Sequence, residues 1–251
     1  MSALRWLLLG LLVVCGCDRP PPGQQNELVL LGTIRGQHFD STRYSLAVLR
    51  DMIRAIRPSV VLCEIPPDRL DQALREFHQD GEVREPRVAQ FPEYTEVLFP
   101  LAAELQFEIV PCAAWSPDLD TAREQGLAAL AERDPQLYGD ARDALDWLAH
   151  RLEREQSSDD PVAIHEPSYD ATVREAMEAY AERVDADLGP AGWQANNRAH
   201  YALIDTALRS RAGRGGRYLL MFGAWHKYWL DERLQQRKDV RVRAVSEFWK
   251  P

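Results

Sequence analysis

The sequence has no surplus of positive charge. Its 30 Lys and Arg residues are outnumbered by 39 Asp and Glu residues, which gives the 251-residue chain a formal net charge of -9. Binding to a nucleic-acid backbone requires a basic face that releases counterions, so we expect no nucleic-acid partner. The locally basic stretch 209–217 has interleaved glycines typical of a surface loop, and it lacks the lysine and hydroxyl of a phosphate-binding loop.

Cysteine is scarce, and its spacing does not match the common metal motifs. The chain has 4 cysteines and no CxxC pair, so it lacks the spacing of a structural zinc site. Cys63 and Cys112 each lie near the end of a predicted buried strand. The two cysteines could form a disulfide or stay as two free thiols, because their separation in sequence does not give the distance between their Cα atoms. We favour two buried free thiols.

Long hydrophobic runs are also lacking. The apolar segment 6–15 follows Arg5 and is too short to cross a membrane as a helix. A positive residue followed by a short apolar segment is typical of a signal peptide. The letters VCGC at 14–17 resemble a bacterial lipobox, in which the cysteine is acylated. This resemblance predicts a signal peptide over residues 1–16, a lipidated Cys17 and a Pro-rich tether over residues 17–26. A plain secretory signal or an uncleaved anchor is the alternative.

An acylated Cys17 makes the membrane the first expected partner. Asp18 follows it directly, and in bacterial lipoproteins an aspartate there is similar to an inner-membrane retention signal. The expected location is therefore the cell envelope, with the protein anchored by lipid in the inner membrane and facing the periplasm.

Residues 27–251 predict a single α/β domain. Apolar runs at 28–31, 59–65 and 217–222 are typical of strands buried on both faces, and two further strands are predicted at 107–112 and 240–245. Helical spacing over 44–56 predicts a helix, which Ser41 or Thr42 can cap. Because short connections join this helix to the strands before and after it, we expect the two strands to be parallel and the crossover to be right-handed. Further helices are predicted over 66–77, 94–105 and 225–236, and Pro111 indicates that the third strand is at an edge or ending there.

Residues 117–211 have no strand-like runs, and segments rich in Ala, Leu, Glu and Arg dominate them. We therefore predict a central, mostly parallel sheet with flanking helices. A large helical insertion lies between the third and the last strands.

Polar residues follow several of these strands. Arg35 and His38 follow the first strand, Glu64 ends the second, and His226 follows the fourth. Because parallel strands end at one edge, we expect Glu64 and His226 to meet over a shared pocket. A carboxylate with the imidazoles of His38 and His226 is a donor set for manganese, cobalt, zinc or iron, which would activate a bound water.

Each of these residues also has an ordinary structural explanation. Glu64 can place negative charge near the N-terminus of the next helix. His226 can be a satisfied polar residue above the core, and His38 can be exposed to solvent. The other histidines outside the predicted helix 193–208, at positions 78, 150 and 165, lie in charged loops or on helix surfaces and receive no role.

Four polar side chains fall within that predicted helix: Asn196, Asn197, Arg198 and His200. Residue 197 shares the face of Tyr201, which we expect to be buried. A buried Asn and a nearby Arg next to a carboxylate would hold that carboxylate ionised and oriented. An exposed polar turn is the alternative.

Four short motifs occur in order along the chain: GTI at 32–34, EIPP at 64–67, NNR at 196–198 and GAWH at 223–226. Their order and their positions resemble the TraB/PrgY/GumN group. That group is related to the Tiki metalloproteases and, more distantly, to ChaN-like haem-binding and erythromycin-esterase-like proteins. The resemblance spans residues 28–245. In the middle helical region it is limited to the helical character of the sequence.

In that group, two GxxH motifs and a glutamate resemble a metal-binding or catalytic centre. The resemblance assigns the second motif to Gly223 and His226, and the acid to Glu64. It assigns an Asn/Arg pair to Asn197 and Arg198.

The first GxxH motif departs from the family pattern, because Arg35 stands where the histidine would be. Arginine stays protonated and has no lone pair for a metal. Either His38 replaces it as a ligand, or the site has lost its metal and binds an anion through Arg35. In the second case Glu64 and His226 would act as acid and base.

The resemblance implies an envelope hydrolase acting on a peptide or small-molecule substrate, either with a divalent metal or as a metal-free acid/base set. The alternative is a ChaN-like lipoprotein that binds haem or another small ligand without catalysis. Four aromatic residues could form a stacking wall for that role, unless they pack in the core: Trp115, Trp225, Tyr228 and Trp229. A degenerate, non-catalytic interaction partner is the third hypothesis.

Overall fold

The structure, a computed structural model, describes residues 25–251. The predicted signal peptide, the lipidated Cys17 and the tether up to residue 24 lie outside these residues. Asn26, which we placed at the end of the tether, is instead the first residue of a strand and is fully buried.

Five strands in residues 25–251 form one parallel sheet in the order β3-β2-β4-β1-β5. They are β1 (Asn26–Thr33), β2 (Val60–Cys63), β3 (Glu108–Pro111), β4 (Arg217–Gly223) and β5 (Val240–Arg243). β1 and β4 are buried along almost their whole length, as their continuous apolar sequences predicted. The α/β fold with a parallel sheet is confirmed.

The helices that flank the sheet are α1 (Leu46–Ile56), α2 (Leu70–Asp80), α3 (Pro86–Ala89), α4 (Phe99–Leu105), α5 (Pro117–Arg133), α6 (Pro135–Arg154), α7 (Pro167–Leu188), α8 (Trp193–Arg209) and α9 (Lys227–Leu234). The predicted helical insertion consists of α5 to α8, between β3 and β4. Among the residues described, no helix has the length and apolar character that crossing a membrane requires.

Several boundaries differ from the prediction. The cap of α1 is Ser45, whose extended backbone lets its side chain accept from a backbone N–H of the first turn. α2 begins only at Leu70, after a turn in which the Arg69 N–H donates to the Pro66 carbonyl. The predicted helix over 94–105 is a π-helical turn (Glu93–Leu98) followed by α4. A 3₁₀ turn (Ala224–His226) precedes α9.

β3 is an edge strand, and Pro111 is its last residue, as the sequence predicted. Cys63 pairs with Pro111 in the parallel register, and the Cys112 N–H donates to the Cys63 carbonyl at 2.8 Å. Both cysteines are buried free thiols, which confirms the favoured prediction.

The strand order determines where the site can form. β4 lies between β1 and β2, so these strands end side by side at one edge of the sheet. The residues that follow β1, β2 and β4 therefore meet there. Side chains of α5 to α8 line a cavity together with these residues, so the helical insertion covers this edge.

Candidate functional site

Glu64 directly follows β2 and is only 7% exposed. Its Oε1 accepts from Arg35 Nη2 at 2.8 Å, and its Oε2 accepts from the backbone N–H of Gly223 at 2.9 Å. Burial raises the pKa of this carboxyl, but the charge of Arg35, the nearby imidazoles and the Gly223 N–H together lower it to about 2. Glu64 is therefore ionised at neutral pH.

Arg35 begins a 3₁₀ turn (Arg35–Phe39) that follows β1. Its backbone has a φ of 53°, in the left-handed region that residues with a Cβ seldom adopt. In this conformation the side chain reaches Glu64 and remains 44% exposed, with its guanidinium carbon 5.5 Å from the centre of the Phe91 ring. Arg35 therefore holds the carboxylate of the site.

His226 lies in the 3₁₀ turn after β4 and stacks on Trp193, with the ring centres 4.6 Å apart. Its Nδ1 is 2.8 Å from Asn197 Oδ1, while Asn197 Nδ2 donates to the Trp193 carbonyl at 2.9 Å. A carbonyl can only accept, so this bond fixes the amide orientation, and Oδ1 must accept from a proton on Nδ1 of His226. The lone pair of the neutral imidazole is therefore on Nε2.

The Nε2 atom of His226 faces Glu64, with 3.7 Å between it and Glu64 Oε1. Burial lowers the pKa of His226 to about 3, although the Glu64 charge opposes that change. The imidazole is thus neutral at neutral pH. The expectation that Glu64 and His226 meet is confirmed.

His200, from α8, is the third side chain at this point, and it is fully buried. Its Nδ1 accepts from the backbone N–H of Ala114 at 2.9 Å. A neutral imidazole has one lone pair and one N–H, so the proton of His200 must be on Nε2. That Nε2 is buried and has no hydrogen-bond partner.

Glu64, His200 and His226 each offer one potential ligand atom, and these atoms lie within 4.8 Å of one another. The Glu64 carboxylate and the Nε2 lone pair of His226 suit a divalent cation. His200 cannot bind the cation in this protonation state, because its one lone pair already accepts from the Ala114 N–H. Arg35 also shares the Glu64 carboxylate. The donor set therefore fits a metal only in part.

A cavity of about 1060 Å³ opens beside His226. Its floor includes Arg35, Gly223 and His226 from the strand ends, and its other walls come from the helical insertion. A second cavity of about 640 Å³ reaches Glu64 and shares Arg35 and Trp115 with the first. His226 therefore faces the larger cavity and Glu64 the smaller one, whereas His200 lines neither.

His38 is not part of this cluster, contrary to its prediction as a metal ligand. Its Nε2 accepts from the backbone N–H of Ile34 at 3.1 Å, which leaves Nδ1 to donate to the Tyr44 carbonyl at 2.7 Å. Both ring nitrogens are thus used by the backbone, and burial lowers the pKa of His38 to about 4. His38 holds the loop after β1 in place.

The Asn/Arg pair is also divided. Asn197 is fully buried and orients His226, as its helix face predicted. Arg198 is exposed, because the next residue on a helix points about 100° away. The assignment of Arg198 to the site is therefore wrong.

Sequence reasoning missed the role of three residues. His200 was only one of a polar group, although it is three residues after Asn197 and so shares its helix face. Tyr94 accepts from the Glu64 backbone N–H at 3.2 Å, and no sequence signal indicated it. His165, which received no role, accepts from the Gly32 backbone N–H at 3.0 Å.

The four predicted wall aromatics separate into two groups. Trp115 and Trp225 line the large cavity. Tyr228 and Trp229 are buried, and they accept from Trp193 and donate to Gln194, respectively. Only the first two are positioned to contact a ligand in that cavity.

Neither protein-family models, nor curated proteins, nor solved structures gave a match to this chain.

Proposed function

We propose that the protein is a lipid-anchored envelope hydrolase of the TraB/Tiki type, with Glu64 and His226 at its active centre. The observation that carries this proposal is the 3.7 Å separation of Glu64 Oε1 and His226 Nε2, beside a large cavity. Both atoms are acceptors at neutral pH, so one water molecule can donate a hydrogen bond to each. That water is the nucleophile.

His226 is the general base. As the water oxygen adds to the substrate carbonyl carbon, a water proton passes to Nε2, and the Glu64 carboxylate stabilises the resulting imidazolium. Asn197 accepts from Nδ1 throughout and keeps the ring oriented. Nε2 then returns the proton to the leaving oxygen or nitrogen as its bond to the carbonyl carbon breaks. The products are a carboxylic acid and an alcohol or amine.

The charge that develops on the carbonyl oxygen requires hydrogen-bond donors. The Nε2–H of His200 is buried without an acceptor, so an oxyanion would satisfy a group that the protein leaves unpaired. The guanidinium of Arg35 is partly exposed at the cavity and adds a positive charge. Removing one such donor typically costs about 100-fold in kcat or more.

A divalent-metal hydrolase is the second candidate, supported by the proximity of Glu64, His200 and His226. Glu64 and His226 would hold the ion, and His200 would join them only after releasing Ala114. A bound divalent ion would lower the pKa of its water ligand and supply hydroxide near neutral pH.

A binding role without catalysis is the third candidate. The large cavity and its aromatic residues Trp115 and Trp225 favour it. Haem is the ligand that the ChaN-like resemblance implies.

The test uses the purified protein before and after chelation, with p-nitrophenyl butyrate and dye-labelled casein as substrates. We expect hydrolysis that survives chelation and falls by about 100-fold or more in Glu64→Gln and in His226→Ala. His150→Ala is the control, because that side chain is 75% exposed, and it should keep full activity.

Other results would select another candidate. If chelation removed a stoichiometric metal together with the activity, and both variants lacked the metal and the activity, the protein would be the metal-dependent hydrolase. A Soret band on adding haem, with neither substrate hydrolysed, would identify the binding protein. Full activity in either variant would contradict the proposed centre.

A further inference from the structure

The cavity wall formed by α6 and α7 differs from the walls that carry the charged residues. On α6, Leu145, Ala149 and Leu152 face the cavity at spacings of four and three residues, which is one helix face. On α7, the cavity is lined by Tyr169 and Met177 among others. The two helices pack against each other, so these side chains form a continuous apolar strip.

The strip is long and held in place. Tyr169, Met177 and Tyr180 on α7 are each only 2–3% exposed. Tyr169 and Tyr180 are eleven helical steps apart, which corresponds to about 16 Å along a helix. Tyr169 lies at the end near Trp225, the residue next to His226. The strip and His226 therefore line the same cavity.

Most fixed charges of the cavity belong to other walls, although the Arg123 guanidinium contacts Tyr180 of the strip. Arg35 and Asp40 come from the loop after β1, and Asp120 and Arg123 come from α5. On the α6 and α7 wall the charged lining residue is Glu153, which is exposed.

Hydrogen-bonding capacity on the strip is also limited. The Tyr180 hydroxyl already accepts from Arg123 at 3.2 Å. The Tyr169 and Tyr180 hydroxyls are too few to pair with the N–H and C=O groups of a peptide backbone lying along the strip, whereas an alkyl chain has no such groups to satisfy. The strip therefore favours an alkyl chain as its occupant.

We infer that the substrate is an ester or amide of a medium-chain or long-chain carboxylic acid, whose alkyl chain lies along the strip on α6 and α7. This inference rests on the proposed hydrolase function. Water adds to the acyl carbonyl carbon, the acyl–oxygen or acyl–nitrogen bond breaks, and the fatty acid and an alcohol or amine are released. The leaving group receives the proton that His226 took from the water.

The first experiment measures binding of decanoate, the product of such a reaction, through the tryptophan fluorescence of the wild-type protein. Decanoate should saturate the signal, and acetate should not change it at the same concentration. Ala149→Phe places a ring on the strip and should weaken decanoate binding at least tenfold. His150→Phe is the matched control on the same helix, 75% exposed at that position, and should bind as the wild type does.

The second experiment compares p-nitrophenyl acetate, butyrate, octanoate and decanoate as substrates. Each added methylene should raise kcat/KM by up to about fourfold, because burying one methylene stabilises the bound state. Ala149→Phe should remove this dependence, whereas His150→Phe, which is 75% exposed on the same helix, should keep it.

The failures of the two proposals are distinguishable. Decanoate that does not bind, or hydrolysis that does not depend on chain length, overturns the alkyl-chain inference and leaves the hydrolase proposal intact. Decanoate binding without hydrolysis of any ester above the Glu64→Gln background overturns the hydrolase function, on which the substrate inference depends.

Discussion

Replacing Glu64 with Gln tests the electrostatics of the centre through the stability of the fold. The substitution keeps the shape of the side chain and removes its charge. In the folded protein the pKa of Glu64 is lowered to about 2, because the Arg35 charge and the Gly223 N–H outweigh the opposing effect of burial. A depressed carboxyl pKa means that the ionised form stabilises the fold above the unfolded pKa, and that this stability is lost as the pH falls toward 2.

The magnitude follows from the size of the pKa change. A change from 4.5 to about 2 corresponds to about 3 kcal/mol in favour of the ionised form. Gln resembles the neutral form, so Glu64→Gln should lower the free energy of unfolding in urea by about this amount near neutral pH. Arg35→Met should lower the free energy of unfolding less in the Glu64→Gln protein than in the wild type, because both substitutions remove the same ion pair.

An exposed glutamate provides the control. Glu124→Gln on α5 should change the free energy of unfolding by less than about 0.5 kcal/mol. The reasoning would be refuted if Glu64→Gln were as stable as the wild type or more stable, since the ionised carboxylate would then not be stabilised by its surroundings.

Four further predictions concern activity and location. Asn197→Ala should lower kcat about 10-fold to 100-fold, because His226 loses the group that orients it. Arg198→Ala should leave kcat unchanged, because this side chain is exposed. A loss of kcat in Arg198→Ala and none in Asn197→Ala would contradict these roles. The value of kcat/KM should stay constant between about pH 8 and about pH 5, because the pKa of His226 is about 3 and its base form persists; a decrease with a midpoint near the ordinary imidazole value of about 6.5 would contradict the buried geometry. Gly223→Ala should reduce ester hydrolysis without changing the circular dichroism spectrum, since the added methyl would lie 3.1–3.3 Å from the Arg35 and Glu64 side chains; wild-type activity would show that the pair can shift freely. Cys17→Ser should move the protein from the membrane fraction to the soluble fraction of expressing cells, and continued membrane association would reject the lipid anchor.

Much of the candidate site could be predicted because chain direction carries spatial information in an α/β fold. Continuous apolar runs indicated strands covered on both faces, and such strands are parallel. Parallel strands end at one edge, so Glu64 and His226 could be placed together although 161 residues separate them. Asn197 could be assigned to the buried helix face from its spacing to Tyr201.

Other features depend on contacts between elements that local patterns do not describe. His38 occupies a loop position that resembles a ligand position, but backbone groups of Ile34 before it and Tyr44 after it use both of its nitrogens. His200 and Arg198 are two residues apart on α8, yet only His200 reaches the centre. The rotation of α8 against the sheet makes that difference, and rotation depends on packing.

The sequence by itself determined the class of fold, the strand ends that carry polar residues and the helical insertion above them, because periodicity and chain direction are local properties. The tertiary structure decided the position of β4 between β1 and β2, the proton positions on His200 and His226, and the use of Arg35 as the partner of Glu64. Each of these depends on groups far apart in the chain that satisfy one another's charges and hydrogen bonds, and such pairing exists only when the chain is folded.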